Sequence, residues 1–220
     1  MYRRCRFKLR WSSSRVINNS KFLKQALIIF VRNPVLGEVK TRIAKTAGEE
    51  KALEIYIHLL EHTREITSGL ACDKFVFYAD RFHETDTWNS KTYSKDVQRG
   101  ENLGLRMNHA FTTLFTKGYQ HICIVGSDCA ELTGGIIEEA FSFLQAYDVV
   151  IGPSSDGGYY LLGLSNMHPA LFEGISWSTP RVLEQTLQQC ARKQLDYHLL
   201  ATLNDIDNEE DWTFYQNSLK

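Results

Sequence analysis

Continuous apolar runs alternate with amphipathic stretches along the chain from residue 26 onward. The run Ala-Leu-Ile-Ile-Phe-Val at 26–31 is of strand length, which is typical of a strand that is covered on both faces of its sheet. Residues 48–68 place apolar side chains at helical spacing, which predicts an amphipathic helix. One face of that helix holds Ala52, Ile55, Leu59, Thr63 and Ile66.

The alternation continues through the middle of the chain and changes after residue 152. Strands separated by helices pair in parallel through right-handed crossovers, so this pattern predicts a mostly parallel, doubly wound α/β sheet. We expect a single domain over residues 25–220, with a modified C-terminal third. The further predicted elements are a strand at 74–79, an irregular polar stretch at 80–97, a helix at 103–116, strands at 121–126 and 148–152 on either side of a helix at 134–146, a strand at 159–164, a helix at about 180–192, a strand near 197–203 and a helix near 208–218.

Composition narrows the class of protein. A chain of 220 residues, of which 43% are hydrophobic, can bury one substantial core. Its five cysteines are odd in number and never spaced as Cys-x-x-Cys, which predicts reduced thiols in a cytoplasmic protein. No apolar run approaches the roughly 20 residues that a membrane span needs, so we expect no such span.

The formal net charge of −1 conceals a strongly basic N-terminal segment. Residues 1–24 hold eight basic residues and no acidic one, which leaves 17 basic against 26 acidic residues in the remainder. A body this acidic is repelled by the phosphates of nucleic acid, so we expect no nucleic-acid binding. We interpret residues 1–24 as a disordered extension; the alternatives are an organelle transit peptide, a flexible arm or translation from an upstream start.

Ligands of doubly wound sheets bind at the carboxyl ends of strands, and the first predicted strand ends in a polar loop. In this loop Asn33 and Gly37 precede Lys40, Thr41 and Arg42. Backbone amides and two cations could hold a diphosphate there. The loop matches neither a P-loop nor a Gly-x-Gly-x-x-Gly fingerprint, and the alternative is an ordinary solvated loop.

The strand at 121–126 runs directly into Gly126, Ser127 and Asp128. Small residues let the backbone approach a ligand, and a carboxylate suits Mg²⁺ or Mn²⁺, which completes its coordination shell with phosphate oxygens and water. Asp128 is therefore a candidate metal ligand. Alternatively, Asp128 caps the turn that follows it.

A third polar loop places Asp156 before Gly157, Gly158 and Tyr159. Strand alternation sends the rings of Tyr159 and Tyr160 to opposite faces, so that one ring could line a sugar or base pocket. The alternative is a tight Asp-Gly turn between two strands.

Near the C-terminus, Asp205 and Asp207 flank the apolar Ile206. One of the two carboxylates could supply a second metal ligand. The alternative is a structural role, with Asp207 or Asn208 as the N-cap of the last helix.

Two further segments lie near predicted helix starts. Arg99 and Arg106 could hold a phosphate or a base, and Trp177 could lie against the face of a sugar. Either segment could equally serve to turn the chain, and we interpret Ser178–Pro180 as a helix start.

Five motifs between about residues 26 and 215 occur in an order that resembles a known bacterial family. They are Phe-Val-Arg-Asn-Pro-Val-Leu-Gly-Glu-Val-Lys-Thr-Arg, Gln-Arg-Gly-Glu-Asn-Leu-Gly-Leu-Arg-Met, Gly-Ser-Asp-Cys, Gly-Pro-Ser-Ser-Asp-Gly-Gly-Tyr-Tyr-Leu-Leu-Gly and Asp-Ile-Asp. The chain resembles the glycosyltransferase-like proteins associated with arsenosugar biosynthesis and with radical-SAM and selenodomain proteins. That family has a GT-A (nucleotide-diphospho-sugar transferase) fold and is related to the 2-phospholactate guanylyltransferases.

The resemblance implies a metal-assisted transferase that uses a nucleotide-sugar donor and a small acceptor, with Asp128 and Asp156 as its catalytic carboxylates. The implied nucleotide-binding residues are Asn33, Gly37, Lys40, Thr41, Arg42, Arg99, Arg106, Gly126 and Ser127. The resemblance implies an acceptor-side loop that contains Gly157 and Gly158. Tyr159 and Trp177 are further candidates for acceptor binding from their own positions in the sequence. The alternatives are a nucleotidyltransferase of the 2-phospholactate guanylyltransferase type and a non-catalytic nucleotide-binding protein.

This sequence departs from the family pattern next to the predicted metal site. Ala130 stands where the family usually has proline after Gly-Ser-Asp-Cys, which loosens the turn without removing the carboxylate. The Asp-x-Asp motif of many GT-A enzymes is also missing. We therefore predict that Asp128 shares a divalent metal, Mg²⁺ or Mn²⁺, with Asp207.

Overall fold

The computed structural model describes residues 23–81 and 86–218. These residues form a central sheet of seven strands. The strands are β1 (Gln25–Val31), β2 (Asp73–Tyr78), β3 (Tyr93–Val97), β4 (His121–Val125), β5 (Val149–Pro153), β6 (Tyr159–Leu164) and β7 (Tyr197–Leu199). Their spatial order is β3-β2-β1-β4-β6-β5-β7. β6 runs antiparallel to both of its neighbours, and the other pairings are parallel.

Helices cover both faces of this sheet. They are α1 (Thr41–Ala47), α2 (Glu49–Ser68), α3 (Leu103–Thr116), α4 (Gly134–Phe143), α5 (Val182–Lys193) and α6 (Glu209–Ser218), with a short 3₁₀ helix at Pro169–Phe172. Successive strand residues point to opposite faces. Leu27 of β1 therefore lies in one core cluster with Tyr56 of α2, whereas Ile28 lies in another with Phe111 of α3.

The predicted α/β class, with a mostly parallel sheet and a modified C-terminal third, is confirmed. The modification is the antiparallel strand β6, which forms a hairpin with β5. The predicted division of the two tyrosine rings of β6 is also confirmed. Tyr160 belongs to the core cluster that contains Leu27, and Tyr159 packs against the cluster that contains Ile28.

Three elements differ from the sequence prediction. β3 lies in the stretch that the sequence pattern predicted to be irregular. This edge strand pairs with β2 alone, and Tyr93 is the one buried residue among its five. The strand therefore has little alternation of apolar and polar residues that could be detected in the sequence. α1 has only seven residues, and the sequence pattern does not separate it from the preceding loop. The strand predicted near 197–203 ends at Leu199, and the chain then continues through a single bridge between Ser154 and Leu203.

The order of the strands places a topological switch point between β1 and β4. From β1 the chain moves outward to β2 and β3 on one side, and it then returns to form β4 on the other side of β1. Crossovers that leave in opposite directions open a crevice at the carboxyl ends of the two central strands. The residues that follow Val31 and Val125 therefore lie beside this crevice.

The described cysteines, Cys72, Cys123, Cys129 and Cys190, are free thiols, as predicted. Within residues 23–81 and 86–218, no helix is long and apolar enough to cross a membrane. The predicted N-terminal extension, residues 1–24, lies outside the described residues except for its last two positions.

Candidate active site

A cleft of about 490 Å³ opens at the switch point between β1 and β4. Its walls come from the ends of these two strands, the start of α3 and the start of β6. The residues lining it are Phe30, Val31, Arg32, Tyr56, Ala79, Gln98, Glu101, Asn102, Leu103, Arg106, Met107, Ile124, Val125, Gly126, Ser127, Asp128, Cys129, Tyr159, Tyr160, Ser178 and Asp205.

Lys40 and Asp128 form an ion pair, here called the inner pair. The Lys40 Nζ lies 2.6 Å from Asp128 Oδ1, and the lysine side chain is only 7% exposed whereas that of Asp128 is 50% exposed. Lys40 Nζ also donates a hydrogen bond of 2.6 Å to the Ile206 carbonyl oxygen. The Asp128 carboxylate thus has a buried cation as its partner at the edge of the cleft.

Arg42 and Asp207 form a second ion pair, here called the outer pair. Arg42 Nη1 lies 3.0 Å from Asp207 Oδ2, and the two side chains are 72% and 37% exposed. The Asn208 side chain accepts a hydrogen bond from the Asp211 backbone N–H, and the Asp211 carboxylate in return accepts one from the Asn208 backbone N–H. This reciprocal cap starts α6 and leaves the Asp207 carboxylate available to Arg42.

Tyr56, on α2, connects the ends of β1 and β4. Its hydroxyl accepts a hydrogen bond from the Arg32 backbone N–H and donates one to the Arg32 carbonyl oxygen, at 2.8 and 3.1 Å. The same hydroxyl lies 3.5 Å from Ser127 Oγ. Burial raises the pKa of Tyr56 to about 12, so the hydroxyl stays protonated and ties the two strand ends together.

Asp205 brings a further carboxyl group to the wall of the cleft. Burial, together with the charges of Asp128, Asp156 and Asp207, raises its pKa to about 7, while a hydrogen bond of 2.9 Å from Ser154 Oγ acts in the opposite direction. Burial also raises the pKa of Asp207, against the opposing effect of the nearby cations. Four carboxyl groups therefore lie close enough for their charges to interact.

The loop between β5 and β6 is a tight turn. Asp156 Oδ1 accepts a hydrogen bond of 2.8 Å from the Gly158 backbone N–H. Gly157 has a φ of +88°, and a Cβ there would lie 2.1 Å from the Pro180 carbonyl oxygen, so the turn requires glycine at this position. The loop is thus a tight Asp-Gly turn with Asp156 exposed on it, and the predicted role of Asp156 at the acceptor stays a prediction.

The first turn of α3 forms another wall of the cleft. Asn102 is the N-cap of this helix, since its side chain accepts a hydrogen bond from the Leu105 backbone N–H. Arg106 lines the cleft, and its Nε donates to the Gly100 carbonyl oxygen at 3.0 Å. A Cβ on Gly104 would lie 2.2 Å from Trp177 Nε1, so the indole packs directly on this helix.

The structure brings only part of the predicted site to the cleft. Of the predicted residues, those that line it are Arg106, Gly126, Ser127, Asp128 and Tyr159. Those that lie elsewhere among the described residues are Asn33, Gly37, Lys40, Thr41, Arg42, Arg99, Asp156, Gly157, Gly158, Trp177 and Asp207. Their predicted roles stay predictions, and for several the structure shows another contact.

Three of these residues have local structural roles. Asn33 donates a hydrogen bond of 2.8 Å to the Arg81 carbonyl oxygen. Gly37 adopts a φ of +78° in the loop after β1. Arg99 lies 3.9 Å from Asp96.

Sequence reasoning did not assign Arg32, Tyr56 or Gln98 to the cleft, although all three line it. Arg32 follows directly after β1, a strand at the switch point, which is a signal that could have found it. Gln98 follows the edge strand β3, which the sequence pattern did not predict, so it gave no such signal. Tyr56 gives no such signal, because its spacing on α2 is that of a core residue. Of the two aspartates near the C-terminus, the cleft contains Asp205, whereas the sequence prediction preferred Asp207.

A family model matches residues 63–179, more than half of the chain; it is described as "Uncharacterized protein conserved in bacteria (DUF2064)". The chain belongs to the DUF2064 family. Membership in the narrower arsenosugar-associated family stays a prediction.

Two relatives extend over most of this DUF2064 protein. A candidate nucleotide-diphospho-sugar transferase from Desulfovibrio desulfuricans G20 is 30% identical, with a TM-score of 0.83 over 89% of this chain and 87% of its own. A 2-phospho-L-lactate guanylyltransferase from Methanocaldococcus vulcanius is 24% identical over 194 residues, 84% of this chain and 82% of the relative. The predicted relation to the 2-phospholactate guanylyltransferases is therefore confirmed.

A more distant structure shares the fold alone. The 4-diphosphocytidyl-2C-methyl-D-erythritol synthase from Anaerococcus prevotii is 10% identical, with a TM-score of 0.57 over 89% of this chain and 96% of its own. The predicted nucleotide-diphospho-sugar transferase fold is confirmed by these structural neighbours.

The oxygen donors beside Asp128 fit a hard divalent cation that arrives with a phosphate ligand. Among the described residues, no group of three or more His, Cys, Asp and Glu side chains is arranged to hold a metal ion. Mg²⁺ does not need such a group, because it is commonly bound through one or two carboxylates with phosphate oxygens and water as its other ligands. The half-exposed Asp128 and the nearby Asp205 provide oxygens of this kind.

Proposed function

We propose that this protein is a transferase that uses a nucleotide-activated donor, bound in the cleft between β1 and β4. The observation that carries the proposal is the inner pair, a buried lysine and a half-exposed aspartate beside a cleft at the switch point. The two relatives that extend over most of the chain are named as transferases of this general kind, which supports the proposal.

For the finer reaction, we propose glycosyl transfer from a nucleotide-diphospho-sugar to a hydroxyl group of a small acceptor. The bond between the anomeric carbon and the diphosphate breaks, a bond from that carbon to the acceptor oxygen forms, and the acceptor proton is released. The 30% identity to a candidate nucleotide-diphospho-sugar transferase supports this reaction.

Negative charge grows on the diphosphate as it leaves, so cations beside it stabilise the transition state. Lys40 and Arg42 would supply two such charges from one side, and Arg32 and Arg106 line the cleft itself. A divalent metal held by Asp128 would add Lewis-acid stabilisation of the same oxygens.

The second metal ligand would come from the segment that follows β7. Asp207 is the residue predicted from the sequence, and it lies against Arg42. Asp205 is the alternative, since it lines the cleft together with Asp128.

On the acceptor side, we propose that Asp156 orients the acceptor hydroxyl and accepts its proton. One oxygen of its carboxylate holds the turn, and the side chain is exposed. Gly157, Gly158, Tyr159 and Trp177 would surround the acceptor.

A second candidate is nucleotidyl transfer, in which the phosphate of a small acid attacks the α-phosphorus of a nucleoside triphosphate and pyrophosphate leaves. The similarity to a 2-phospho-L-lactate guanylyltransferase favours it. The same cleft and the same cations would serve both reactions.

Product analysis tests these reactions. The purified protein would be incubated with Mn²⁺ and either UDP- and GDP-sugars or GTP with 2-phospho-L-lactate. Free nucleoside diphosphate from a sugar nucleotide supports glycosyl transfer, and pyrophosphate from GTP supports the second candidate. Nucleotide binding without either product would contradict both and indicate a non-catalytic nucleotide-binding protein.

A further inference from the structure

The inner pair places an ammonium group at the carboxylate that a metal would need. Lys40 Nζ lies 2.6 Å from Asp128 Oδ1 and 2.6 Å from the Ile206 carbonyl oxygen. A lysine that is only 7% exposed requires such partners, because an unpaired buried charge is strongly unfavourable. The ammonium therefore serves as the counter-ion of Asp128 in the structure described.

The surrounding backbone holds Lys40 in this place. Its φ and ψ are 46° and 45°, a left-handed conformation that non-glycine residues rarely adopt. The Ile206 backbone N–H donates a hydrogen bond of 2.8 Å to the Asp128 carbonyl oxygen. Three separate segments of the chain thus meet at the Lys40 ammonium and fix its position.

A divalent cation and the ammonium compete for Asp128, since two cations on one small carboxylate repel each other at close range. The Asp128 carboxylate lines the cleft and is half exposed, whereas Lys40 is not among the residues that line the cleft. A metal can therefore approach Asp128 from the cleft, where the ammonium at Oδ1 opposes its binding. A phosphate in the cleft would offer the displaced ammonium a new partner.

We propose that Lys40 is a displaceable counter-ion that couples metal binding to nucleotide binding, an inference that rests on the proposed function. In the nucleotide-free protein, Lys40 occupies Asp128 and keeps the affinity for metal low. A donor diphosphate draws the ammonium away and adds oxygen ligands for the metal. By linkage, nucleotide and metal each raise the affinity for the other by the same factor.

The test is the binding of Mn²⁺ alone, measured by electron paramagnetic resonance, to the wild-type protein and to Lys40→Met. Methionine is an unbranched side chain close to lysine in length, so the change removes the charge with little change in shape. We expect the Kd for Mn²⁺ to fall at least tenfold.

Lys95→Met is the matched control. Lys95 is also a buried lysine, 6% exposed, and its Nζ lies 2.5 Å from Asp86 Oδ1. Neither residue of this pair lines the cleft. The control therefore removes the charge of a similarly buried lysine that is paired with a different aspartate. We expect the Kd of this variant for Mn²⁺ to stay within threefold of the wild-type value.

Two further variants keep the test decisive. Lys40→Gln removes the charge but retains a hydrogen-bond donor for Ile206, so it should also tighten Mn²⁺ binding if Lys40→Met fails to fold. Asp128→Asn added to Lys40→Met should abolish the gain, which locates the metal at Asp128. Thermal unfolding of each variant checks that it is folded.

The inference is overturned if both Lys40 variants bind Mn²⁺ no tighter than Lys95→Met does. It is also overturned if the wild-type protein binds Mn²⁺ equally well with and without GDP or UDP. Transfer activity that does not respond to metal would overturn the inference while leaving the proposed transfer reaction in place, so the two failures are distinguishable.

Discussion

The inner and outer pairs take their cations from positions only two residues apart, Lys40 and Arg42, yet the environments of the two pairs differ sharply. Lys40 is 7% exposed and holds Asp128 beside the cleft, whereas Arg42 is 72% exposed and holds Asp207 at the surface. Exposed ion pairs contribute little to stability, whereas removing the partner of a buried charge is strongly destabilising. Two cations that are similar in the sequence therefore differ in what they can do, and the inner pair is the one placed beside the cleft.

The largest expected effect comes from replacing the two aspartates in turn. Asp128→Asn should lower kcat/KM by about 100-fold or more, because it removes the carboxylate that would hold a metal beside the leaving diphosphate. Asp207→Asn should lower it by only about tenfold, because Asp207 does not line the cleft and Asp205, which does, can supply the second carboxylate. Steady-state kinetics with the active donor measure both values of kcat/KM. Equal decreases in the two variants would contradict the different roles assigned to the inner and outer pairs.

Replacing Lys40 or Arg42 with an uncharged residue should change the free energy of unfolding by different amounts. Lys40→Met leaves the Ile206 carbonyl oxygen without its donor, and it should lower the free energy of unfolding by about 2 kcal/mol. Arg42→Met should change it by less than about 0.5 kcal/mol. Urea denaturation measures the difference, and similar values for the two variants would contradict the assigned burial of Lys40.

Asp205 should make stability depend on pH. Its pKa rises from 3.8 in the unfolded chain to about 7, so the folded state binds the extra proton and loses stability as pH increases between these values. Relative to Asp205→Asn, the wild-type protein should lose about 1 to 2 kcal/mol as the pH rises through this window, less than an isolated shift of this size implies because some solvent contact remains. A stability difference that stays constant with pH would contradict the assigned burial of Asp205.

Salt should produce the smallest effect. The outer pair is exposed, so its coupling energy of at most about 0.5 kcal/mol should fall further at an ionic strength of about 1 M. The inner pair should retain its coupling, because buried charges are screened less. Double-mutant cycles at low and high salt measure both coupling energies. A large decrease in the coupling energy of the inner pair at high salt would contradict the difference in burial between the two pairs.

Long apolar runs and helical spacing mark most elements, and for this reason much of the fold is predictable from the sequence. The helix predicted at 103–116 matches α3, and the strand predicted at 159–164 matches β6. The shorter elements escape prediction for a physical reason. β3 is a polar edge strand, and α1 has too few residues for its spacing to stand out.

The candidate site is less predictable than the fold. Lys40 and Arg42 lie two positions apart in one motif, and nothing local says which is buried. Their difference depends on the left-handed backbone at Lys40 and on Ile206, which lies 166 residues further along the chain. The choice between Asp205 and Asp207 likewise depends on contacts with Ser154 and Arg42 that only the folded chain creates.

Calorimetric titration with GDP and UDP in the presence of Mn²⁺ tests the central claim that Asp128 lies at a nucleotide-phosphate site. The variants to compare are Asp128→Asn and, as a control, Asp196→Asn, which changes an exposed aspartate before β7. We predict that the wild-type protein and the control bind at least one of the nucleotides, and that Asp128→Asn weakens this binding at least tenfold. Unchanged affinity in Asp128→Asn would contradict the account.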